Sequence, residues 1–187
     1  MRPWGLAALL ASMSLVASAG EIAGVKLAER ATLGTSEMVL NGAGLRKMTF
    51  VKVYVGALYL SEKRKSPEEV YALAGAKRIS ITLLRNLPAR KFVDALRGGI
   101  RENNSLAEQK AFRGRLAALE ANLLTLRERK KGDTITLDWL PGEGTLVALN
   151  GERKGKAIPG DDLYRALLRV FLGERPTSDG LKKAMLG

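Results

Sequence analysis

An arginine and a tyrosine provide the groups in this chain that are best suited to chemistry. Arg46 follows a glycine-rich segment, and Tyr54 lies within the apolar segment 49–60. A guanidinium can hold a carboxylate through two parallel hydrogen bonds, and a phenol can add a third. The pair is therefore a candidate site for a small carboxylate. Spacing alone is a weak signal, and a solvated arginine beside an ordinary core aromatic is the alternative interpretation.

The apolar segment itself predicts a buried strand, because it is dense in Val, Tyr and Leu. Strict alternation places Lys52, Tyr54 and Gly56 on one face and an almost purely apolar set on the other. The missing side chain at Gly56 would leave room for a ligand beside the phenol. Arg46 shares this face if the chain stays extended, whereas a bulge or turn would break that inference.

The composition excludes several classes of enzyme. The 187 residues include neither Cys nor His, which excludes thiol nucleophiles, thiolate metal sites and the usual general base. No calcium-loop pattern of carboxylates is present. We therefore predict no cofactor and no metal site.

The first residues have the pattern of a secretory signal peptide. Arg2 precedes an apolar stretch over 5–16, and Ala17-Ser18-Ala19 fits a small-residue cleavage site. The stretch is shorter than the roughly 20 residues that a spanning helix needs. We predict a signal peptide over 1–19 and a mature domain over 20–187, located in the periplasm or secreted. A membrane anchor is the alternative.

The basic balance of the chain restricts its partners. Thirty-one Lys and Arg against nineteen Asp and Glu give a formal net charge of +12, which suits nucleic acid, anionic lipid or an acidic ligand. The export pattern argues against nucleic acid. We expect a solvated basic surface, with peripheral contact to anionic membrane lipid as the alternative.

The order of the elements predicts an α+β fold with helices on one face of an antiparallel sheet. Strands are predicted over 22–27, 32–33, 38–40, 49–60, 78–84, 134–140, 145–149 and 154–158, with a turn at 41–44. Helices are predicted over 67–74, over 88–103, from 105 to about 126, from 161 to Gly173, and over 178–186.

Two adjacent glycines interrupt the helix predicted over 88–103. Gly98 and Gly99 would each weaken it by about 1 kcal/mol relative to Ala, so the pair indicates a kink or a group packed close to the backbone. A ligand is one candidate, and a neighbouring strand or helix is the commoner cause. We therefore predict a cleft between sheet and helices, with space left open by the missing side chains of Gly56 and Gly99.

Several segments occur in the order of a known family: the glycine-rich turn and strand of 42–60, turns at 149–151 and 158–160, and helical segments at 166–173 and 176–184. In these the chain resembles the chalcone isomerase-like family, particularly its exported bacterial branch. The resemblance covers nearly the whole mature chain. It implies an open-faced β-sandwich, a curved antiparallel sheet covered by a layer of helices, with the ligand cleft between them.

The resemblance also implies roles for single residues. In the plant isomerases the arginine matched by Arg46 stabilises the oxyanion as a chalcone cyclises. Tyr54 stands where they keep a threonine, whereas the fatty-acid-binding branch has a tyrosine and uses the Arg and Tyr pair on a carboxylate. The isomerases' helical tyrosine and asparagine fall on Phe92 and Gly99, and another polar position falls on Val170.

We therefore predict an exported, non-catalytic protein that binds a small amphipathic or fatty-acid-like carboxylate between sheet and helices. The predicted ligand-binding residues are Arg46, Tyr54, Lys52, Gly56, Phe92 and Gly99. One alternative is an isomerase, an intramolecular lyase, that acts through Arg46 and Tyr54 on a small phenolic or enone substrate. The other is an envelope interaction module with a vestigial pocket.

Overall fold

A seven-stranded antiparallel sheet is the framework of the computed structural model, which describes residues 18–187. With strands numbered in chain order, the spatial order is β11 (Glu152–Ile158), β10 (Gly144–Leu149), β9 (Thr134–Leu140), β6 (Lys77–Leu83), β5 (Val51–Leu60), β4 (Ser36–Met48) and β3 (Arg30–Leu33). Two short pairs accompany it: β1 (Ser18–Ile22) with β2 (Val25–Ala28), and β7 (Leu87–Pro88) with β8 (Glu128–Arg129). Apart from its last two residues, the predicted signal peptide lies outside the described residues.

The helices lie on one side of this sheet. They are α1 (Pro67–Ala72), α2 (Ala89–Asn103), α3 (Leu106–Ala111), α4 (Arg113–Leu124), α5 (Asp161–Leu172) and α6 (Asp179–Leu186). The α+β open-faced sandwich is thereby confirmed. Within residues 18–187, no helix is both long and apolar enough to cross a membrane.

The main core lies between the sheet and the helices. Leu58, Ile79 and Leu137 on three neighbouring strands are fully buried against residues such as Leu163 and Leu167 of α5. A smaller cluster, with Met38 and Val55 at its centre, lies on the opposite face beneath the β1–β2 hairpin. The two faces of β5 are therefore both buried, which explains the continuous apolar character of its sequence.

The turn predicted at 41–44 is wrong, because β4 continues through these residues and the chain turns at Thr49 and Phe50. The glycines allow a helix to approach the strand instead. A Cβ placed on Gly44 would lie 2.6 Å from Cβ of Ala184 in α6. Such a distance is far below an ordinary contact, so only glycine fits.

Two smaller expectations need correction, and a third is confirmed. The strand predicted over 22–27 is a hairpin that turns at Ala23 and Gly24, both of which have positive φ. The helix predicted from 105 ends at Phe112 and restarts as α4, although its apolar stripe packs against the core as expected, with Leu116 partly buried. Helix α2 runs unbroken across Gly98 and Gly99, and the group expected close to its backbone is Val170 of α5, which packs against Gly99.

Candidate functional site

A cavity of about 280 Å³ lies between the β4–β5 hairpin, helix α2 and helix α5. Its walls are apolar and well buried, with Val53 from the sheet, Phe92 and Leu96 from α2, and Val170 and Phe171 from α5. Helical spacing produces the α2 wall, since residues four apart share one face of a helix. The cavity can therefore hold an apolar chain.

Arg46 and Tyr54 lie at this cavity as direct partners across the β4–β5 ladder. The ladder shifts register next to them, because Lys47 pairs with Lys52 and leaves Val53 as an extra residue. This bulge breaks the predicted alternation. It places Val53 at the cavity beside Tyr54 and leaves Lys52 exposed, so the expectation that Lys52 shares the site is wrong.

The Tyr54 side chain is held in its neutral form. Burial raises the pKa of its hydroxyl to about 12, although a hydrogen bond with the Thr177 side chain and the charge of Arg46 act in the opposite direction. A neutral phenol that accepts a hydrogen bond from Thr177 still has its own proton to donate. Tyr54 is therefore suited to hydrogen-bond an anionic oxygen, and it is not suited to act as a base near neutral pH.

The positive charge at the cavity comes from Arg46 and from Lys91, an exposed residue of α2. Arg46 is half-buried and its Nη1 donates to the carbonyl oxygen of Lys47. No carboxylate among residues 18–187 forms an ion pair with Arg46, in contrast to arginines such as Arg78 and Arg97. Its charge is therefore available to an anionic ligand.

The gaps predicted at two glycines are filled by protein. A Cβ on Gly56 would lie 2.9 Å from Cε of Met185 and 3.2 Å from Cδ1 of Leu181, both in α6. A Cβ on Gly99 would lie 2.6 Å from Cγ1 of Val170. Neither glycine lines the cavity, because each one serves the close packing of a helix instead.

Of the six predicted ligand-binding residues, Arg46, Tyr54 and Phe92 line the cavity. Sequence reasoning missed Lys91, although its position next to Phe92 on a predicted amphipathic helix places it at the rim of the buried stripe. It also missed Thr177, for which the sequence offers no signal. Thr177 reaches the cavity because its N–H donates to the carbonyl oxygen of Val170 at 2.9 Å, which folds the segment after α5 back over the site.

A larger hollow of about 690 Å³ lies on the opposite face of the sheet. Both of its arginines are already paired, Arg153 with Glu143 through Nη1–Oε2 at 3.0 Å and Arg78 with Asp138 through Nε–Oδ1 at 2.7 Å and Nη2–Oδ2 at 2.8 Å. Such a bidentate pair satisfies both charges. The cavity with the available guanidinium is thus the better candidate for a carboxylate.

Comparisons with known proteins give matches for both the sequence and the fold of this chain. Residues 19–187 match the sequence profile of a family described as chalcone isomerase-like. A crystal structure of a fatty-acid binding protein from Arabidopsis thaliana is similar to this chain, with a TM-score of 0.67 and 18% sequence identity over 91% of this chain and 96% of that one. At this identity the likeness shows a common fold. No curated protein matches the sequence.

Proposed function

Because this chain belongs to the chalcone isomerase-like family, we propose that it is a non-catalytic binding protein for a fatty-acid-like carboxylate. The observation that carries the proposal is the guanidinium of Arg46, which has no carboxylate partner among the described residues and lies beside Tyr54 at an apolar cavity. The Arabidopsis thaliana fatty-acid binding protein of similar fold supports the same conclusion.

In this proposal the ligand carboxylate lies between Arg46 and Tyr54. The guanidinium donates two hydrogen bonds and the neutral phenol donates one. The alkyl chain extends along Phe92 and Val170 into the cavity. With a volume of about 280 Å³, the cavity lies near the lower end of the roughly 300–1,000 Å³ range of ligand sites, which favours a single chain over a lipid with two.

The chemistry of the lining favours binding over catalysis. An isomerase that moves a proton needs a positioned acid or base. None of the described residues that line the cavity is a carboxylate, the chain has no histidine, and the lysine of the lining, Lys91, is exposed on α2 rather than buried at a fixed position. Tyr54, with its pKa raised to about 12, holds its proton near neutral pH. Phe92 and Val170, where the resemblance to the isomerases implies polar groups, are both apolar.

We also propose that the protein is exported, on the basis of the signal-peptide pattern over residues 1–19. Expression of the full chain in a bacterial host and intact-mass measurement of the periplasmic protein would test this. A mature chain that begins near Gly20 is expected. Recovery of the uncleaved chain in the membrane fraction would contradict it.

The main test is to purify the mature protein without detergent, extract it with organic solvent and analyse the extract by mass spectrometry. Single-chain carboxylates at near-stoichiometric amounts are expected from the wild type, and Arg46→Gln should retain much less. A wild type that is empty and does not bind added fatty acids would overturn the proposal. In parallel, chalcone should lose absorbance no faster with the protein than in buffer.

A further inference from the structure

The turn between β4 and β5 exposes three apolar side chains within four residues. Met48, Phe50 and Val51 are 60%, 94% and 46% exposed. Elsewhere among the described residues, large hydrophobic side chains with comparable exposure are Leu106 and Leu124, which lie on different helices. Isolated exposed side chains are ordinary, whereas an apolar cluster at one tip indicates a contact surface. We call residues 47–52 the hairpin tip.

The residues of this tip do not suit a stable hairpin turn. Thr49 adopts a φ of 55°, which is unfavourable for a β-branched residue and is usually filled by Asn, Asp or Gly in such turns. Lys47 and Lys52 face each other across the ladder, and like charges at directly opposed positions are destabilising. A sequence that departs from local preferences in this way is typical of a functional site.

Further cations surround the tip at the same end of the molecule. The N–H of Leu84 donates to the carbonyl oxygen of Val53 at 2.9 Å, which holds the loop after β6 beside the hairpin. The N–H of Lys131 donates to Asn86 Oδ1 at 3.1 Å, and the N–H of Ala89 to the carbonyl oxygen of Arg127 at 2.6 Å. The exposed cations gathered by these contacts are Arg85, Arg90, Lys91, Arg127, Lys130 and Lys131.

Acidic residues at this end do not cancel that charge. No ion pair among residues 18–187 involves Lys47, Lys52 or the six cations gathered beside the tip. Of the three nearby carboxylates, Asp133 is engaged by the Lys130 N–H and by Asn150. The other two, Glu128 and Asp94 of α2, are exposed and are outnumbered by the eight cations. The end of the molecule is therefore strongly positive around an apolar tip.

We propose that this end of the protein docks on a bilayer that contains anionic phospholipid. Met48, Phe50 and Val51 enter the boundary between headgroups and acyl chains, while the lysine pair and the surrounding cations contact lipid phosphates. The long lysine side chains can extend to the phosphates while the tip is inserted. Charge complementarity alone would also suit an acidic protein. The apolar tip favours a bilayer, because contact with an acidic protein would not require an inserted aromatic ring.

The cavity opens at the docking surface. Met48 belongs to the hairpin tip and Lys91 to the surrounding cations, and both also line the cavity. A docked protein would thus present its cavity to the bilayer. This inference goes beyond the proposed function, because docking at the tip requires no ligand in the cavity.

The test is sedimentation of the mature protein with vesicles of phosphatidylcholine, with and without an equal part of phosphatidylglycerol, at low salt. Phe50→Ser probes the inserted ring, and Leu106→Ser is its matched control because Leu106 is 83% exposed on α3. Lys47→Gln with Lys52→Gln probes the charge, and Lys156→Gln with Lys183→Gln is the matched control on exposed lysines away from the tip.

We expect binding to the anionic vesicles that falls with added salt. The double lysine variant of the tip should bind roughly 25-fold more weakly, at about fivefold for each cation near the surface. Phe50→Ser should also weaken binding, and both controls should match the wild type. Absence of binding to anionic vesicles would overturn the proposal, as would equal losses in tip and control variants. Phe50→Ser should keep fatty-acid affinity in vesicle-free solution, so docking and ligand binding are separable.

Discussion

Gly99 of α2 faces Val170 of α5 so closely that a single methyl group would not fit between them. A Cβ on Gly99 would lie 2.6 Å from Cγ1 of Val170, whereas a Cβ on its neighbour Gly98 would meet nothing within 4 Å. The two glycines thus differ in purpose. Gly99 sets the distance between α2 and α5, which both contribute to the wall of the cavity. Gly98 lies in open space.

This contrast predicts opposite effects from the same substitution. Gly98→Ala should stabilise the protein by about 1 kcal/mol, because Ala is the better helix former. Gly99→Ala should destabilise it by roughly 1–3 kcal/mol, because it overpacks the contact between α2 and α5. Urea unfolding monitored by circular dichroism would measure both changes. In a Val170→Ala background most of the cost at Gly99 should disappear, and an undiminished cost would contradict the packing explanation.

Ligand affinity should depend strongly on Arg46. Arg46→Gln should weaken binding of a long-chain fatty acid by roughly 10- to 100-fold, since hydrogen bonds to charged groups contribute about 1.5–3 kcal/mol. Arg30→Gln is a suitable control, because its side chain is 72% exposed and lies on the edge strand β3. Titration calorimetry would measure the difference. Equal affinities for the two variants would show that the carboxylate is bound elsewhere.

Filling the cavity should prevent ligand entry without loss of stability. Ala95 lines the cavity from an exposed position of α2, so Ala95→Phe adds a ring at the entrance and should reduce fatty-acid affinity by at least roughly tenfold. Ala121→Phe on α4 is the matched control, since that residue is exposed and does not line the cavity. Thermal unfolding of both variants should match the wild type. Retained affinity in Ala95→Phe would place the ligand outside this cavity.

The tyrosines predict a loss of stability in alkali. The pKa of all four is raised above the usual 10.0, mainly by burial, and reaches about 12 for Tyr54 and Tyr71. Their neutral forms are thus favoured by the fold. The stabilisation is complete below the unfolded pKa near 10.0 and is lost as the pH rises toward the folded value.

Spectrophotometric titration would test this. Folded protein should show little tyrosinate absorbance near pH 10.0, whereas protein unfolded in urea should be half ionised there. The free energy of unfolding should fall more steeply with pH in the wild type than in Tyr54→Phe, which has one fewer buried phenol. A folded protein that titrates at the ordinary value would contradict the burial of these groups.

The sequence was sufficient for the fold class, because capping residues and apolar periodicity are local signals. The helices predicted over 67–74 and from 105 begin where expected, because Ser66 and Ser105 form capping boxes with Glu69 and Glu108 three residues later. The same local reasoning predicts a turn at Gly42 and Gly44, since glycine in a sequence indicates either a turn or a close approach. Only the contact with α6, far along the chain, distinguishes the two.

The site was predictable only in part for the same reason. Arg46 and Tyr54 do line one cavity, but the chain does not stay extended between them as the inference of a shared face requires. It turns at Thr49 and Phe50, and the two residues are partners on two strands. The bulge at Val53 shifts Lys52 to solvent, and no local signal predicts a bulge there. Thr177 reaches the cavity through a backbone contact with Val170, which is purely tertiary.

The contact between α6 and β4 has a consequence for the folding kinetics of this protein. Asn41 donates to the carbonyl oxygen of Met185 at 2.7 Å across a separation of 144 residues, and Ala184 covers Gly44. Contacts of such long sequence separation carry a high entropic cost and slow the folding of a chain. A nascent chain whose residues 179–186 are still within the ribosome leaves the glycine surface of β4 uncovered. The sheet can therefore complete its core only after synthesis has passed α6.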